Sequence, residues 1–500
     1  MATEKPNIIF IITDHQAYYG HDRPGEFSYK WPHFEAFAQQ GIRFDRAYSV
    51  APVCTPARAS MMTGLYPSTH GMKWNTENRA SQNLQDLRSG TLLYSHYLSQ
   101  AGYRNAYVGK WHCGATRLPI DYGIEGWSLP DYGKVYMSDA YKEYATRRGL
   151  GDARARIEYN LNHPEWRGQT LVLHDPSPWR FMNGSGVLEG PPEAHEEFFV
   201  AHLAVEKLKE LARYSQPWSL VVSFWGPHQP YYPTEPYASM VDPKSIPEYP
   251  SFRDDLKGRP LRHLIHREMS HRSAAAWPEW ATWQEILARC YGQGLQTDAA
   301  IGQVLQALDD TGLTDNTLVI WLSDHGDAVA SHGGLWDKSA TFIEEVARVP
   351  LAIRWPKRIA PGQRTDKLVS NMDATATMLD AAGIPILQAM HSRSLLPLCD
   401  DPKAASWPDH LICEHHGHVT NVYQKMILHD RYKYVAALFD GDELYDLVAD
   451  PFEMNNRIDD PGLADLRDEL RRRVIAHIEA SGERNWDSNS LLLSLKSGRY

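Results

Sequence analysis

Five hundred residues are enough for two or three domains by length alone, although large α/β enzymes often build one dominant sheet with a smaller appendage. The formal net charge of −11 provides no basic footprint for a nucleic-acid partner, so an anionic ligand has to be attracted locally. Five widely spaced cysteines, an odd number, exclude a disulfide framework as the natural reading.

The chain opens with Asn7-Ile8-Ile9-Phe10-Ile11-Ile12, a continuous apolar, β-branched run expected to be a strand buried on both faces. It stops at Thr13-Asp14-His15-Gln16, which places a carboxylate at the strand's exit. Next comes Cys54-Thr55-Pro56-Ala57-Arg58. Thr55 suits an N-cap and Pro56 a first helical turn, so residue 54 is expected beside the positive end of a helix, where an anion is welcome. Taken alone, this stretch reads as a buried cysteine beside an ordinary helix start.

A helical pattern over Leu93 to Ala101 leads into a weaker strand, Ala106-Tyr107-Val108-Gly109, followed by Lys110-Trp111-His112. A second helical pattern, Ala201 to Tyr214, precedes Leu220-Val221-Val222-Ser223-Phe224 and its ending Trp225-Gly226-Pro227-His228. The strand-like run Leu318 to Leu322 then enters Ser323-Asp324-His325-Gly326-Asp327. Strands alternating with helices imply a mostly parallel sheet whose carboxyl-end loops build the ligand site, so these polar endings are expected to converge. Each has an ordinary explanation as a cap or turn; their recurrence is what points to chemistry.

The expected architecture is α/β, with a large mostly parallel sheet over residues 1–385 and a smaller part over 386–500. In the second part, Asn421 to Leu428 and Tyr432 to Leu438 read as strands and Leu463 to Ile478 as a helix. Residues 115 to 195 and 229 to 285 are long insertions rich in aromatic and basic residues, placed where strand-end loops select substrates. The tail Leu491-Leu492-Leu493-Ser494-Leu495 is too apolar to hang free and is expected to dock on its own domain or on a second subunit, which makes a homo-oligomer an expectation. The first residues lack a basic segment, a long apolar core and a cleavage site, and no segment approaches a membrane span in length. The expectation is a soluble cytoplasmic protein without a membrane partner.

Together these motifs resemble the type I sulfatases of the alkaline phosphatase superfamily along nearly the whole chain. The resemblance rests on Cys54 to Gly64, Gly109-Lys110-Trp111-His112, Gly226-Pro227-His228, Ser323 to Gly326, Trp336-Asp337-Lys338 and Arg348-Val349-Pro350. The distal segments Asn371 to Gly383 and Glu443-Leu444-Tyr445-Asp446-Leu447 fit as well. It implies an alkaline phosphatase-like fold with a small C-terminal antiparallel sheet, and an arylsulfatase-like hydrolase of sulfate monoesters, acting on a small ester or a sulfated sugar.

The resemblance also implies site roles. Cys54 is oxidised to formylglycine by a separate maturation system, and its hydrated aldehyde is the nucleophile. Asp14, Asp324, His325 and the oxygen of residue 54 hold a divalent metal, expected to be Ca²⁺. The family pattern has an acidic residue where His15 stands and an amide where His325 stands; imidazoles suit Mn²⁺ or Zn²⁺ better. His15 is counted with the ligands, with the Gln16 carbonyl as its alternative. Arg58 steadies the diol, Lys110 bridges diol and sulfate, and His112 removes the second diol proton. His228 and Lys338 contact the sulfate and serve the leaving alkoxide, and Asn75 adds an amide contact. Two other readings stand beside this one: a phosphonate monoester or phosphodiester hydrolase of the same superfamily, and an inactive protein that binds sulfated ligands.

Overall fold

The computed structural model describes residues 5–18, 30–76, 86–173, 182–271, 279–386, 389–418 and 420–498. The parts of the two insertions at 174–181 and 272–278 lie outside the described residues.

The main sheet takes β1 (Asn7–Asp14), β2 (Ile42–Tyr48), β3 (Arg104–Lys110) and β4 (Glu125–Leu129) from the first third of the chain. A small sheet of β5 (Arg154–Asn160), β6 (Thr170–Val172) and β7 (Gly184–Leu188) belongs to the first insertion. The main sheet then resumes with β8 (Trp218–Pro227), β9 (Thr317–Ser323), β10 (Leu351–Arg354) and β11 (Gln363–Ser370). Its spatial order is β11-β2-β10-β9-β1-β8-β3-β4. Strand β10 pairs antiparallel with both neighbours, and every other pairing in this sheet is parallel.

Alternation along β1 explains the unbroken apolar run. Ile9 and Ile11 enter one core, with Val222, Trp321 and the buried faces of two long helices. Ile8, Phe10 and Ile12 enter a second core on the opposite face, with Met61, Met62, Met378 and Leu379. Successive strand residues point to opposite faces, so a strand covered on both sides has no polar position until it leaves the sheet.

Five helices matter for the site and its support: α1 (Cys54–Thr63), α2 (Glu196–Leu211), α3 (Trp280–Asp310), α4 (Asp373–Ala381) and α5 (Ala464–Ser481). Helices α2 and α3 lie on the first face and α1 and α4 on the second. In the C-terminal part, β12 (His410–Gly417), β13 (Asn421–His429), β14 (Tyr432–Ala437) and β15 (Glu443–Asp446) form an antiparallel sheet. Residues Leu395, Leu396, Leu398 and Cys399 still pack into the main sheet's second core, so the separate layer begins only at His410.

The leucine-rich tail is a helix, α6 (Trp486–Ser497), which buries Leu491 and Leu495 beside Leu470, Val474 and Ile478 of α5. Of the two dockings expected for it, the tail takes its own domain; Leu493 faces outward. Among the described residues, no helix is long and apolar enough to cross a membrane.

Several buried histidines are neutral parts of this framework. His70 Nε2 pairs with Ser60 Oγ at 3.0 Å while Nδ1 accepts from Met72 N–H at 3.1 Å. His195 Nδ1 accepts from Glu197 N–H, and His415 Nδ1 accepts from Gly417 N–H. Burial is the main cause that pushes each of these imidazoles down to about 3 from an ordinary value of 6.5. Depressed folded values mean that the unfolded chain takes up protons first. The stability these groups contribute is complete above 6.5 and is lost as pH falls toward 3. The thermal midpoint is therefore expected to drop between pH 7 and pH 5, each imidazole costing up to about 2 kcal/mol at pH 5. A midpoint that is flat across that range in a scanning-fluorimetry series would show that these rings protonate in the folded state.

Candidate active site

Four adjacent strands deliver the chemistry to one edge of the sheet. In the order β9, β1, β8, β3 their carboxyl ends present Asp324 and His325, Asp14 and His15, His228, and Lys110. Helix α1 brings Cys54 and Arg58 to the same edge, and the loop after β9 returns with Asp337 and Lys338. Gly109 lets β3 come close enough. Its φ is +108°, and a Cβ there would lie 1.8 Å from the Ser223 carbonyl oxygen.

The helix start differs from the sequence reading. Val53 takes the N-cap position with extended backbone and no side-chain cap, so Cys54 is the first helical residue and Thr55 lies inside the turn. The missing cap is replaced from a distance by Asn75, whose Oδ1 accepts from Thr55 N–H at 3.1 Å. The amide oxygen of Asn75, expected on the substrate, thus holds the helix that carries Cys54.

A cluster of donors surrounds Cys54. One ligand atom from each of Asp14, His15, Cys54 and His325 lies within 4.8 Å of the others, and all four residues are buried. His325 Nε2 is 3.1 Å from Cys54 Sγ, 3.6 Å from Asp14 Oδ1 and 3.8 Å from Asp324 Oδ1. Gln16 is not turned to this cluster: its Oε1 accepts from the Thr13 hydroxyl at 2.8 Å.

The cations are placed by the backbone as much as by charge. Arg58 Nε donates to Asp324 Oδ2 at 2.8 Å, and its Nη1 donates to the Lys110 carbonyl at 3.0 Å and to Ser223 Oγ at 2.7 Å. It was expected at the diol; the structure shows it bracing three strand ends. Lys110 donates to Asp14 Oδ2, with its ammonium 4.1 Å from the centre of the Tyr132 ring. His112 is buried with its ring edge-on to the same tyrosine, at 5.7 Å between centroids. Burial pushes the Asp14 carboxyl up, but Lys110, His228, Arg58 and His325 outweigh it and hold the group well below the usual carboxylate range.

Partners fix the tautomers of three histidines. His228 Nδ1 faces the Gln229 carbonyl at 2.6 Å, and His325 Nδ1 faces the Gly326 carbonyl at 2.8 Å. A carbonyl only accepts, so Nδ1 carries the hydrogen in both and the Nε2 lone pairs face the site. Lys338 Nζ lies 2.9 Å from Asp337 Oδ1, 3.0 Å from His15 Nε2 and 3.3 Å from His228 Nε2, three acceptors for the three hydrogens of an ammonium. Burial opposes its charge, yet Asp337, Cys54 and Asp14 raise the Lys338 pKa above the ordinary lysine value. Burial and then Lys338 and Lys110 push His228 the other way, well below the imidazole range, against Asp14 and Asp337. Of these two side chains, Lys338 therefore holds the proton.

The structure gathers Asp14, His15, Cys54, Arg58, Lys110, His228, Asp324, His325 and Lys338 at one sheet edge, with His112 beside Tyr132 and Asn75 at the start of α1, while Gln16 is turned away. Sequence reasoning missed Ser223, Tyr132 and Tyr231. Ser223 was legible in hindsight as a hydroxyl near the end of a buried apolar strand, whereas Tyr132 comes from an insertion whose sequence has no spacing signal.

Comparison with known proteins gives the family and the fold. The family model described as "Sulfatase" matches residues 6–384, and one described as "N-sulphoglucosamine sulphohydrolase, C-terminal" matches 331–480. The choline-sulfatase of Rhizobium meliloti is 28% identical over 92% of this chain and 84% of its own length. A solved structure in complex with D-glucosamine-2-N,6-O-disulfate superposes with a TM-score of 0.73 at 21% identity, covering 97% of this chain and 99% of that one. The phosphonate monoester hydrolase of Silicibacter pomeroyi gives 0.75 at 22%, covering 96% of both chains. The likeness to these two structures is one of fold. With the model spanning most of the chain, this protein belongs to the sulfatase family, enzymes that hydrolyse sulfuric esters.

Arg58 offers a direct check on the geometry. Arg58→Ala leaves Asp324 buried without its partner, and a loss of about 3–5 kcal/mol is expected in the denaturation midpoint together with loss of turnover. Arg58→Lys keeps the charge but cannot reach three acceptors at once, so turnover is expected to fall well before stability does. A lysine variant with wild-type kcat would show that the fork is not needed.

Proposed function

We propose that this enzyme hydrolyses sulfate monoesters of small alcohols or sugars through a formylglycine formed from Cys54 by a separate maturation system. The supporting observation is the placement of Cys54: it starts a buried helix, 3.1 Å from an imidazole lone pair, with Arg58, Lys110 and Lys338 around it. A sulfate ester bears negative charge on its peripheral oxygens and gains charge on the leaving oxygen, so preorganised cations at both ends lower the barrier.

The donor set suits a divalent cation. Asp14, Asp324 and His325 would hold it together with an oxygen of modified residue 54, and the His325 lone pair among carboxylates favours Mn²⁺ over the Ca²⁺ expected from sequence. When bound, such an ion would supply Lewis-acid polarisation of a sulfuryl oxygen. Lys110 holds the sulfuryl end. One hydroxyl of the hydrated aldehyde gives up its proton to solvent and attacks sulfur as the alkoxide; the S–O bond to the alcohol breaks with its electron pair on oxygen, and that oxygen takes a proton from Lys338. His112 then removes the proton of the remaining hydroxyl, the C–O bond to sulfate breaks, and the aldehyde returns. A sulfated sugar is the second substrate class of this reading, and Asp337, bonded to Lys338 and 3.4 Å from His418 Nε2, would meet its hydroxyls.

The test is kcat/KM for 4-nitrophenyl sulfate against a matched phenylphosphonate ester, with Cys54→Ala as blank and peptide mass reporting residue 54. Sulfate turnover that vanishes in the variant is expected. Preference for the phosphonate ester would promote the hydrolase reading shared with the Silicibacter structure, and a modified residue 54 without turnover of either ester would favour a binding protein.

A further inference from the structure

Strand β1 ends in a histidine that the roles above leave unassigned between two neighbours. His15 offers a nitrogen to the cluster around Cys54, and also to a second cluster with His228 and Asp337. Its own hydrogen bonds decide between them. Nδ1 lies 3.1 Å from Asp327 Oδ2, an oxygen that also accepts from the Tyr231 hydroxyl at 2.5 Å. The other carboxylate oxygen, Oδ1, accepts from Val329 N–H at 3.1 Å.

The ammonium of Lys338, 3.0 Å from Nε2, can only donate, so Nε2 accepts, Nδ1 carries the ring hydrogen and Asp327 Oδ2 accepts from it. That leaves His15 one lone pair, on Nε2. It faces Lys338 Nζ at 3.0 Å, with Asp337 Oδ1 at 3.4 Å accepting from the same ammonium. A lone pair that accepts from an ammonium is not free to bind a cation. The ring is also held from both sides, at 3.8 Å from His228 and 4.6 Å from His325 between centroids, which leaves it little room to turn.

We propose that Asp327, braced by Tyr231, is a positioning residue that turns His15 onto the Lys338 ammonium, so that His15 belongs to the leaving-group end of the site and not to the cation ligands. The relay runs Tyr231, Asp327, His15, Lys338, across the segments that follow β8, β9 and β1 and the returning loop. It aims the proton that the departing alcohol oxygen takes. Asp327 acts through His15 and touches neither substrate nor cation.

The proposal rests on the sulfatase reading for its kinetic arm only. Asp327→Asn is nearly isosteric, but a carboxamide cannot accept from all three donors. Poor leaving groups need the aimed proton most, so kcat for an alkyl sulfate is expected to fall about 30-fold or more and for 4-nitrophenyl sulfate about threefold or less. Tyr231→Phe should move both in the same direction by less, and serves if the first variant does not fold.

Calorimetry with Ca²⁺ and Mn²⁺ on protein with unmodified Cys54 forms the second arm, and affinity within about threefold of wild type is expected; loss of a ligand's orienting carboxylate would cost about 10–100-fold. The third arm needs no variant beyond His15→Gln for assignment. The ¹⁵N shifts of wild-type His15 should report hydrogen on Nδ1 and an Nε2 signal that stays in place when Ca²⁺ is added. A tenfold loss of cation affinity, an Nε2 signal that moves with Ca²⁺, hydrogen on Nε2, or equal losses on both esters would overturn the proposal. The last two arms decide it even if neither ester is turned over.

Discussion

Everything at this site depends on the balance of charge inside a dry sheet edge. Arg58, Lys110 and Lys338 are buried together with Asp14 and Asp324, and Asp337 closes the set half-buried at the mouth. Unpaired, any one of them would be expensive to bury; paired, each is held by geometry that its neighbours dictate. Arg58 reaches α1, β3, β8 and the turn after β9 with one planar group, so the relative positions of those elements are written into its hydrogen bonds. Such an arrangement serves transition-state charge because it needs no reorganisation when substrate arrives.

The two ends of the site follow from that lattice. Around residue 54, carboxylates and an imidazole lone pair converge. Around Lys338, an ammonium is surrounded by three acceptors. The histidines are the same residue type on both sides and differ only in what holds Nδ1: a backbone carbonyl for His228 and His325, a carboxylate for His15.

Strand ends were the most legible part of the sequence, because a strand buried on both faces leaves a sharp boundary between apolar run and functional residue. The start of α1 was misread for an instructive reason. Thr55 has the chemistry of a cap, but the chain enters the helix two residues earlier, with Val53 at the cap, and is satisfied by Asn75, twenty residues away in sequence, which no local rule detects. The resemblance set Arg58 at the diol of residue 54, yet side-chain length lets it reach from its helix to other strands. The contributions of Tyr132 and Tyr231 depend on how long insertions fold back, and aromatic residues there read equally as packing.

The alternation of β1 between two cores has a consequence for catalysis itself. Sliding this strand by one residue would move Asp14 by about 3.3 Å and exchange the faces of every isoleucine and of Phe10. No intermediate position is available, because both cores are filled. Hydrophobic packing therefore acts as the ruler of this enzyme: the placement of its charges is graduated in whole residues, and the marks are set by side chains that never meet the substrate.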